Sequence, residues 1–233
     1  MYFLDPAYFI IVLPAVLFAF YAQATVSSTI ARASRIRAGV GLTGREVAER
    51  ILRANGIGDV EVRRIGGWGL GDHYDPRSRT VNLSPKVYDQ ASVAAVGIAA
   101  HEAGHAVQHA RGYAFLLVRN GLFPVVQFGS QLALPLFIAG LVFASGSRLG
   151  LWLMDLGIVL FFGAVLFQII TLPVEYNASA RAVASLGSLG LVDRDEQAVV
   201  RQVLSAAALT YVAATAAALA QFIYLLTLRG RRD

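Results

Sequence analysis

Four long stretches of uncharged, mostly apolar residues limit what this chain can fold into. They cover residues 6–31, 120–147, 149–174 and 202–228, and within the third only Asp155 is charged. About 20 apolar residues are enough for an α-helix to cross the hydrocarbon core of a bilayer. Only 15% of the residues are charged, whereas about a quarter is usual in soluble proteins. The sequence therefore predicts a mostly α-helical integral membrane protein with four transmembrane helices.

The first stretch has a second interpretation, a cleaved secretory signal, because Ala22-Gln23-Ala24 resembles a signal-peptidase site. A secretory signal begins with positive charge, whereas residues 1–6 contain Asp5 and neither lysine nor arginine. We therefore expect a retained membrane anchor. Pro14 and Pro135 are expected to kink their helices, which membrane spans tolerate.

The four predicted spans separate two polar regions. A short turn around residues 145–148 joins the second and third spans into a hairpin, which returns the chain to the side it left. Both polar regions are therefore expected on the same membrane face, where they can build one site together. The predicted divisions are 1–31 (first transmembrane helix), 32–119 (first domain part), 120–148 and 149–174 (second and third transmembrane helices), 175–201 (second domain part) and 202–233 (fourth transmembrane helix and basic tail).

The distribution of charge gives an orientation and excludes some functions. The chain has a formal net charge of +5, and more arginines flank the polar regions than the opposite span ends. Cytoplasmic loops carry an excess of positive charge, so we expect the polar regions in the cytoplasm, although the basic tail points the other way. Nucleic-acid binding is not expected, because acidic residues are interspersed with the arginines. The chain has no cysteine, which excludes thiol catalysis and disulfides.

The first polar region carries ordinary signals of globular structure. Thr43 and Glu46 have the spacing of a capping box at a helix start, and Asn55-Gly56 is expected to end that helix. Apolar residues alternate with polar ones around residues 60–62 and 81–83, which predicts two strands. The glycine-rich segment 66–71 is interpreted as a flexible hairpin connection between them. Further helices are predicted from Ser84-Pro85 and over residues 92–110.

One motif in the helix 92–110 indicates metal chemistry. His101-Glu102-Ala103-Gly104-His105 places two histidines four residues apart, on one face of a helix, where both imidazoles can bind one zinc ion. Zinc lowers the pKa of coordinated water to about 7, and Glu102 is placed to accept its proton and later to protonate a leaving amine. Because small, uncharged residues surround the motif, it fits a helix packed in a core.

Catalytic zinc usually takes three protein ligands, so one more is needed. His109 continues the spacing, but it lies about 12 Å along the helix from His101, too far for one ion unless the helix breaks. His73 could bind metal from a loop, although a place in the substrate cleft or a loop cap is the better interpretation. The remaining acidic candidates are Asp155, Glu175, Asp193, Asp195 and Glu196.

Glu175 is the best candidate for the third ligand. It is a lone acid among apolar residues at the end of the third span, just after Pro173, which we interpret as a helix start. The hairpin topology brings Glu175 to the face that carries the histidines. By contrast, residues 193–196 have the composition of a solvated helix start, and Asp155 lies near the far end of its span.

Four segments together resemble the bacterial neutral zinc metallopeptidases of the YugP type: residues 1–6, 73–76, 100–106 and 172–179. The resemblance covers essentially the whole chain. More distantly, the layout is similar to the HtpX heat-shock protease and the CAAX prenyl protease, which are membrane gluzincins. Those proteins usually carry an aspartate four residues after the ligand glutamate, a position that Ser179 occupies here. The resemblance implies a zincin-like α+β metallopeptidase domain in a multi-pass protein of the bacterial plasma membrane.

These observations predict a membrane-anchored zinc metalloendopeptidase that acts on membrane or membrane-proximal polypeptides. We expect one Zn²⁺ ion bound by His101, His105 and Glu175, with Glu102 as the catalytic residue and His73 as a candidate substrate contact. The alternative is a metal-binding membrane transporter or a non-catalytic scaffold. A transporter should carry ionisable residues in its spans, where this chain has only Asp155, and a scaffold would not need Glu102.

Overall fold

The computed structural model describes residues 5–66, 71–143 and 147–232. The chain is mostly helical, with one small sheet. The elements are α1 (Pro6–Ile11), α2 (Leu13–Ala33), α3 (Gly44–Ala54), β1 (Glu61–Arg64), β2 (His73–Asp75), β3 (Thr80–Leu83), α4 (Pro85–Tyr88), α5 (Val93–Ala110), α6 (Ala114–Phe143), α7 (Arg148–Ser188) and α8 (Arg194–Gly230).

The chain divides into two compact units. The first, here called the hydrophobic unit, comprises Met1–Gln23, Val118–Leu172 and Thr210–Asp233. The second, the polar unit, comprises Ala24–Leu117 and Pro173–Leu209. The four long helical stretches α1–α2, α6, α7 and α8 each contribute a segment to both units.

The described residues include four helical stretches that are long and apolar enough to cross a membrane: Pro6–Ala33, α6, α7 and α8. Four candidate spans were predicted. In the first, α1 and α2 meet at Val12, whose backbone stays helical and whose N–H donates to the Tyr8 carbonyl oxygen at 2.8 Å. Pro14, two residues later, lacks the N–H group that would continue the hydrogen-bond pattern. By contrast, α6 and α7 continue through their internal prolines, Pro124, Pro135 and Pro173.

Three helices extend beyond the apolar stretches that revealed them. The third stretch ends at Val174, but α7 continues to Ser188, so the expectation that Pro173 marks a helix start is wrong. Likewise α6 begins at Ala114 and α8 at Arg194, each earlier than its apolar stretch. Hydropathy detects the lipid-compatible part of a helix, whereas the extensions are held by packing inside the polar unit, where Ala182 and Leu186 are fully buried.

Small residues allow α6 and α7 to pack closely and antiparallel within the hydrophobic unit. A Cβ atom added at Gly140 would lie 2.6 Å from the carbonyl oxygen of Gly150, and one added at Gly157 would lie 2.6 Å from that of Ala133. Such close helix contacts through glycine are typical of membrane proteins. Residues 145 and 146 of the turn predicted between these helices lie outside the described residues. Asp155 of α7 forms an ion pair with Arg229 of α8, with 2.7 Å between Oδ1 and Nε.

The polar unit is built around α5, which packs against α3 and the sheet. Its core contains Val47, Ile51, Val81, Leu83, Val96, Ala99 and Ala103, all at most 1% exposed. The predicted capping box of α3 is confirmed: the Thr43 hydroxyl accepts from the Glu46 N–H, and the Glu46 carboxylate accepts from the Thr43 N–H. Asn55 caps the other end, followed by Gly56 at φ +71°.

The sheet differs from the expected hairpin. Its strand order is β1-β3-β2, with β1 parallel to β3 and β2 antiparallel to β3. A hairpin connection between β1 and β3 is therefore wrong, because parallel neighbours need a crossover and β2 intervenes in the chain. Residues 67–70 of the glycine-rich segment lie outside the described part. The arrangement leaves β2 at the edge of the sheet.

Candidate metal centre

The helix that carries both histidines is α5, whose first turn is closed by Ser92. The Ser92 hydroxyl accepts a hydrogen bond from the N–H of Ala95. The helix is unbroken from Val93 to Ala110, so the rings of His101 and His105 lie on the same face, with centroids 4.7 Å apart. Both side chains are largely buried, which fixes them against the neighbouring elements.

Glu175 reaches this face because α7 crosses α5 with almost no space between the backbones. A Cβ atom added at Gly104 would lie 2.7 Å from the carbonyl oxygen of Ala178, closer than side-chain carbon and oxygen atoms can approach. Only glycine is therefore compatible with this crossing. The contact places Glu175, one helical turn before Ala178, against the two imidazoles, where it is 3% exposed.

The three side chains converge on one point. The Nε2 atom of His101 lies 3.2 Å from Oε2 of Glu175, and Nε2 of His105 lies 3.6 Å from the same oxygen. Ligand atoms about 2.0–2.1 Å from a tetrahedral zinc ion lie about 3.3 Å from one another. The donor set and its spacing therefore fit a zinc ion. Among the described residues, these three are the group of His, Cys, Asp and Glu side chains placed to hold a metal.

The other ring nitrogen of each histidine also has a partner. Nδ1 of His101 lies 3.1 Å from the hydroxyl oxygen of Ser179. Nδ1 of His105 lies 3.0 Å from the amide oxygen of Gln108. With the Nδ1 proton donated to these oxygens, each Nε2 atom presents a lone pair toward Glu175, which is the form that binds metal. Gln108 was not predicted from the sequence; its position three residues after His105 was the available signal.

Glu102 is buried beside the cluster, with an exposure of 8%. Burial raises the pKa of the Glu102 carboxyl to about 7, since the charged form loses its hydration. The ring of His101 and a hydrogen bond from the backbone N–H of Tyr74 act in the opposite direction, while the charges of Glu175 and Asp72 raise it further. A carboxyl group with such a pKa can accept and release protons near neutral pH.

The other histidines lie outside the three-residue cluster. His73 in β2 donates from Nδ1 to the carbonyl oxygen of Gly71 at 2.8 Å and accepts at Nε2 from the Asn82 amide at 3.3 Å. Its role as a substrate contact stays a prediction. His109 lies with Nδ1 2.8 Å from the hydroxyl of Tyr74, near the C-terminus of α5.

Asp193, Asp195 and Glu196 lie at a helix start, as predicted. The Asp193 carboxylate accepts from the N–H of Glu196 at 2.8 Å, and the Glu196 carboxylate accepts from the N–H of Asp193 at 3.0 Å. Glu196 also accepts from the N–H of Gly39 at 2.6 Å. These carboxylates therefore stabilise the beginning of α8.

Comparison with known proteins gives a consistent result over nearly the whole chain. Residues 8–230 match a family model described as "Putative neutral zinc metallopeptidase". The chain is 45% identical over 216 residues to the protein of Bacillus subtilis (strain 168) named "Putative membrane protease YugP". This similarity covers 92% of the present chain and 93% of the relative. No solved structure matches the chain.

Proposed function

Because the chain belongs to the neutral zinc metallopeptidase family, we propose that it is a membrane-anchored zinc endopeptidase with Glu102 as its catalytic residue. The observation that carries this proposal is the convergence of His101, His105 and Glu175 beside the buried Glu102. Two imidazoles and one carboxylate are a ligand set of catalytic zinc, which keeps a further position open for water or substrate.

The chemistry divides between the metal and Glu102. A bound zinc ion supplies Lewis acidity, which polarises a peptide carbonyl and makes water easier to deprotonate. Glu102 accepts the proton of the attacking water and delivers it to the amine that leaves when the peptide bond breaks. His101, His105 and Glu175 hold one ion and take no part in proton transfer. Tyr74 orients Glu102 through its backbone N–H.

The substrate class follows from the proposed membrane topology. Residues 24–117 and 173–209 belong to one compact unit, and α6 and α7 pack antiparallel. Both observations support the placement of the two polar regions on the same membrane face, as parts of one zincin-like domain. The excess of arginine near these regions favours the cytoplasmic face of a plasma membrane. An enzyme anchored in this way meets membrane and membrane-proximal polypeptides.

The test compares purified wild type with Glu102→Gln on a denatured, detergent-solubilised membrane protein, with the zinc content of each measured. The amide keeps the size of the side chain but cannot accept the proton. We expect the variant to retain zinc and its cleavage rate to fall by about 10²–10⁴-fold. Glu49→Gln is a matched control, because Glu49 lies on α3 and pairs with Arg45; it should leave both quantities unchanged.

Equal cleavage by the wild type and Glu102→Gln would contradict the peptidase proposal. Zinc bound at full occupancy in a wild type with no cleavage would favour a metal-dependent scaffold instead.

A further inference from the structure

A series of hydrogen-bonded polar side chains runs from the half-buried Arg181 of α7 to the outer nitrogen of the buried His105. Gln108 is 0% exposed. Its amide oxygen lies 3.0 Å from Nδ1 of His105, and its amide nitrogen donates to the carbonyl oxygen of Val174 at 2.8 Å and to Oδ1 of Asn177 at 3.0 Å. Arg181 in turn donates from Nε to the same Asn177 oxygen at 2.7 Å.

Arg181, at one end of this hydrogen-bonded series, determines the direction of every hydrogen bond in it. An arginine can only donate, so Asn177 must present its oxygen to Arg181. That oxygen and the Val174 carbonyl oxygen can only accept, so Gln108 must turn its nitrogen toward α7. The amide oxygen of Gln108 is then left for His105, which has to carry its proton on Nδ1.

These hydrogen bonds therefore control which nitrogen of His105 can bind metal. With the proton on Nδ1, the lone pair of His105 is on Nε2, the atom that faces Glu175. If the Gln108 amide were reversed, its N–H₂ group would face Nδ1 of His105. Its oxygen would face two other acceptors, the Val174 carbonyl oxygen and Oδ1 of Asn177. Such an arrangement leaves buried polar groups unpaired, which is costly in a protein interior.

We propose that Gln108, oriented by Asn177 and Arg181, is a positioning residue that fixes the tautomer and ring orientation of His105 for zinc binding. This inference rests on the proposed zinc site and extends it to residues that do not touch the metal. The outer partners of ligand histidines typically change metal affinity by about 10–100-fold when they are removed.

The test measures zinc affinity by competition with a chromophoric chelator, together with the visible spectrum of the Co²⁺-loaded protein. Gln108→Met keeps the length of the side chain but offers Nδ1 only the weak acceptor of a thioether sulfur. We expect its zinc affinity to fall by about 10–100-fold and its Co²⁺ bands to shift. Gln108→Glu restores the acceptor, and its affinity should lie between those of Gln108→Met and the wild type.

Arg181→Ala tests the end of the hydrogen-bonded series that is farthest from His105. It disturbs the core less than Gln108→Met does, because Arg181 is only half-buried. We expect zinc affinity to fall by about 3–10-fold, a smaller effect than direct removal of the partner. Combined with Gln108→Met, it should add no further loss, since both changes act through one amide. Arg201→Ala, an exposed arginine on α8, is the matched control and should bind zinc as the wild type does.

The outcomes separate this inference from the proposed function. Wild-type zinc affinity in Gln108→Met would overturn the role of Gln108 and leave the metal site standing. A full additional loss from Arg181→Ala in the Gln108→Met background would show that Arg181 does not act through Gln108. Unchanged zinc binding after His105→Ala would instead refute the metal site itself.

Discussion

Each imidazole of the candidate metal site is held by an uncharged oxygen. Ser179 contacts Nδ1 of His101 through its hydroxyl, and Gln108 contacts Nδ1 of His105 through its amide. A carboxylate at such a position makes the imidazole a stronger metal ligand. The Ser179 hydroxyl supplies the orienting contact to His101 without adding a carboxylate charge beside Glu175.

This difference gives a prediction for Ser179. Ser179→Ala removes the acceptor for the Nδ1 proton of His101, so we expect zinc affinity to fall by about 10-fold. Ser179→Asp provides a charged acceptor and should bind zinc more tightly than Ser179→Ala does. Chelator competition measures both variants. Equal affinities of wild type and Ser179→Ala would contradict the orienting role of the hydroxyl.

The sequence predicted the residues that converge at the site and missed those that orient them. His101 and His105 are identifiable because helical spacing alone brings them to one face, and Glu175 because a lone acid at the end of an apolar stretch needs a partner. Gln108 was not selected, although it lies three residues after His105, because a glutamine near a helix end is usually solvated. Its burial depends on α7, whose course through the polar unit the sequence did not reveal.

At the scale of helices, the crossing of α5 and α7 sets the geometry of the site. The absence of a side chain at Gly104 lets the backbone of Ala178 approach, and this approach brings Glu175 to the histidines. The motif of residues 101–105 thus requires glycine at position 104 on steric grounds. A larger residue there must push α7 away from α5.

We predict that Gly104→Ala weakens zinc binding by at least about 10-fold and lowers stability by about 1–3 kcal/mol, because the added methyl group would lie 2.7 Å from a backbone oxygen. Zinc titration and thermal unfolding measure the two effects. Gly163→Ala on α7 is the control, since a Cβ atom there meets nothing within 4 Å. Wild-type zinc affinity in Gly104→Ala would refute the steric argument.

The helices were predictable as apolar stretches, but their ends were not. The extension of α7 from Val174 to Ser188 is amphipathic and packs inside the polar unit, so hydropathy does not mark it. Similarly, alternation of apolar residues identified β1 and β3 but could not give their partners. Their parallel pairing depends on β2, a strand of three residues with no alternation to detect.

At the scale of the whole molecule, the proposed topology predicts which parts of the chain face the same compartment. The chain lacks cysteine, so each introduced cysteine is the single labelling site in the purified protein. Arg77→Cys and Ser188→Cys report on the two polar regions, and Arg148→Cys reports on the opposite side. All three positions are exposed.

We expect a membrane-impermeant maleimide to label Arg148→Cys in intact cells and to label the other two variants only after the membrane is opened. Labelling of Arg77→Cys and Ser188→Cys from opposite sides would contradict the placement of both polar regions on one face. If both are labelled in intact cells and Arg148→Cys is not, the shared face holds and the cytoplasmic orientation is wrong.

The proposed function depends on one zinc ion bound by two histidines of α5 and a carboxylate of α7. The most direct measurement is the zinc content per chain of purified wild type and Glu175→Ala, determined by mass spectrometry at equal zinc exposure. We expect one zinc ion per wild-type chain and a nearly metal-free variant, because two imidazoles alone hold zinc weakly. Full zinc occupancy in Glu175→Ala would contradict this expectation.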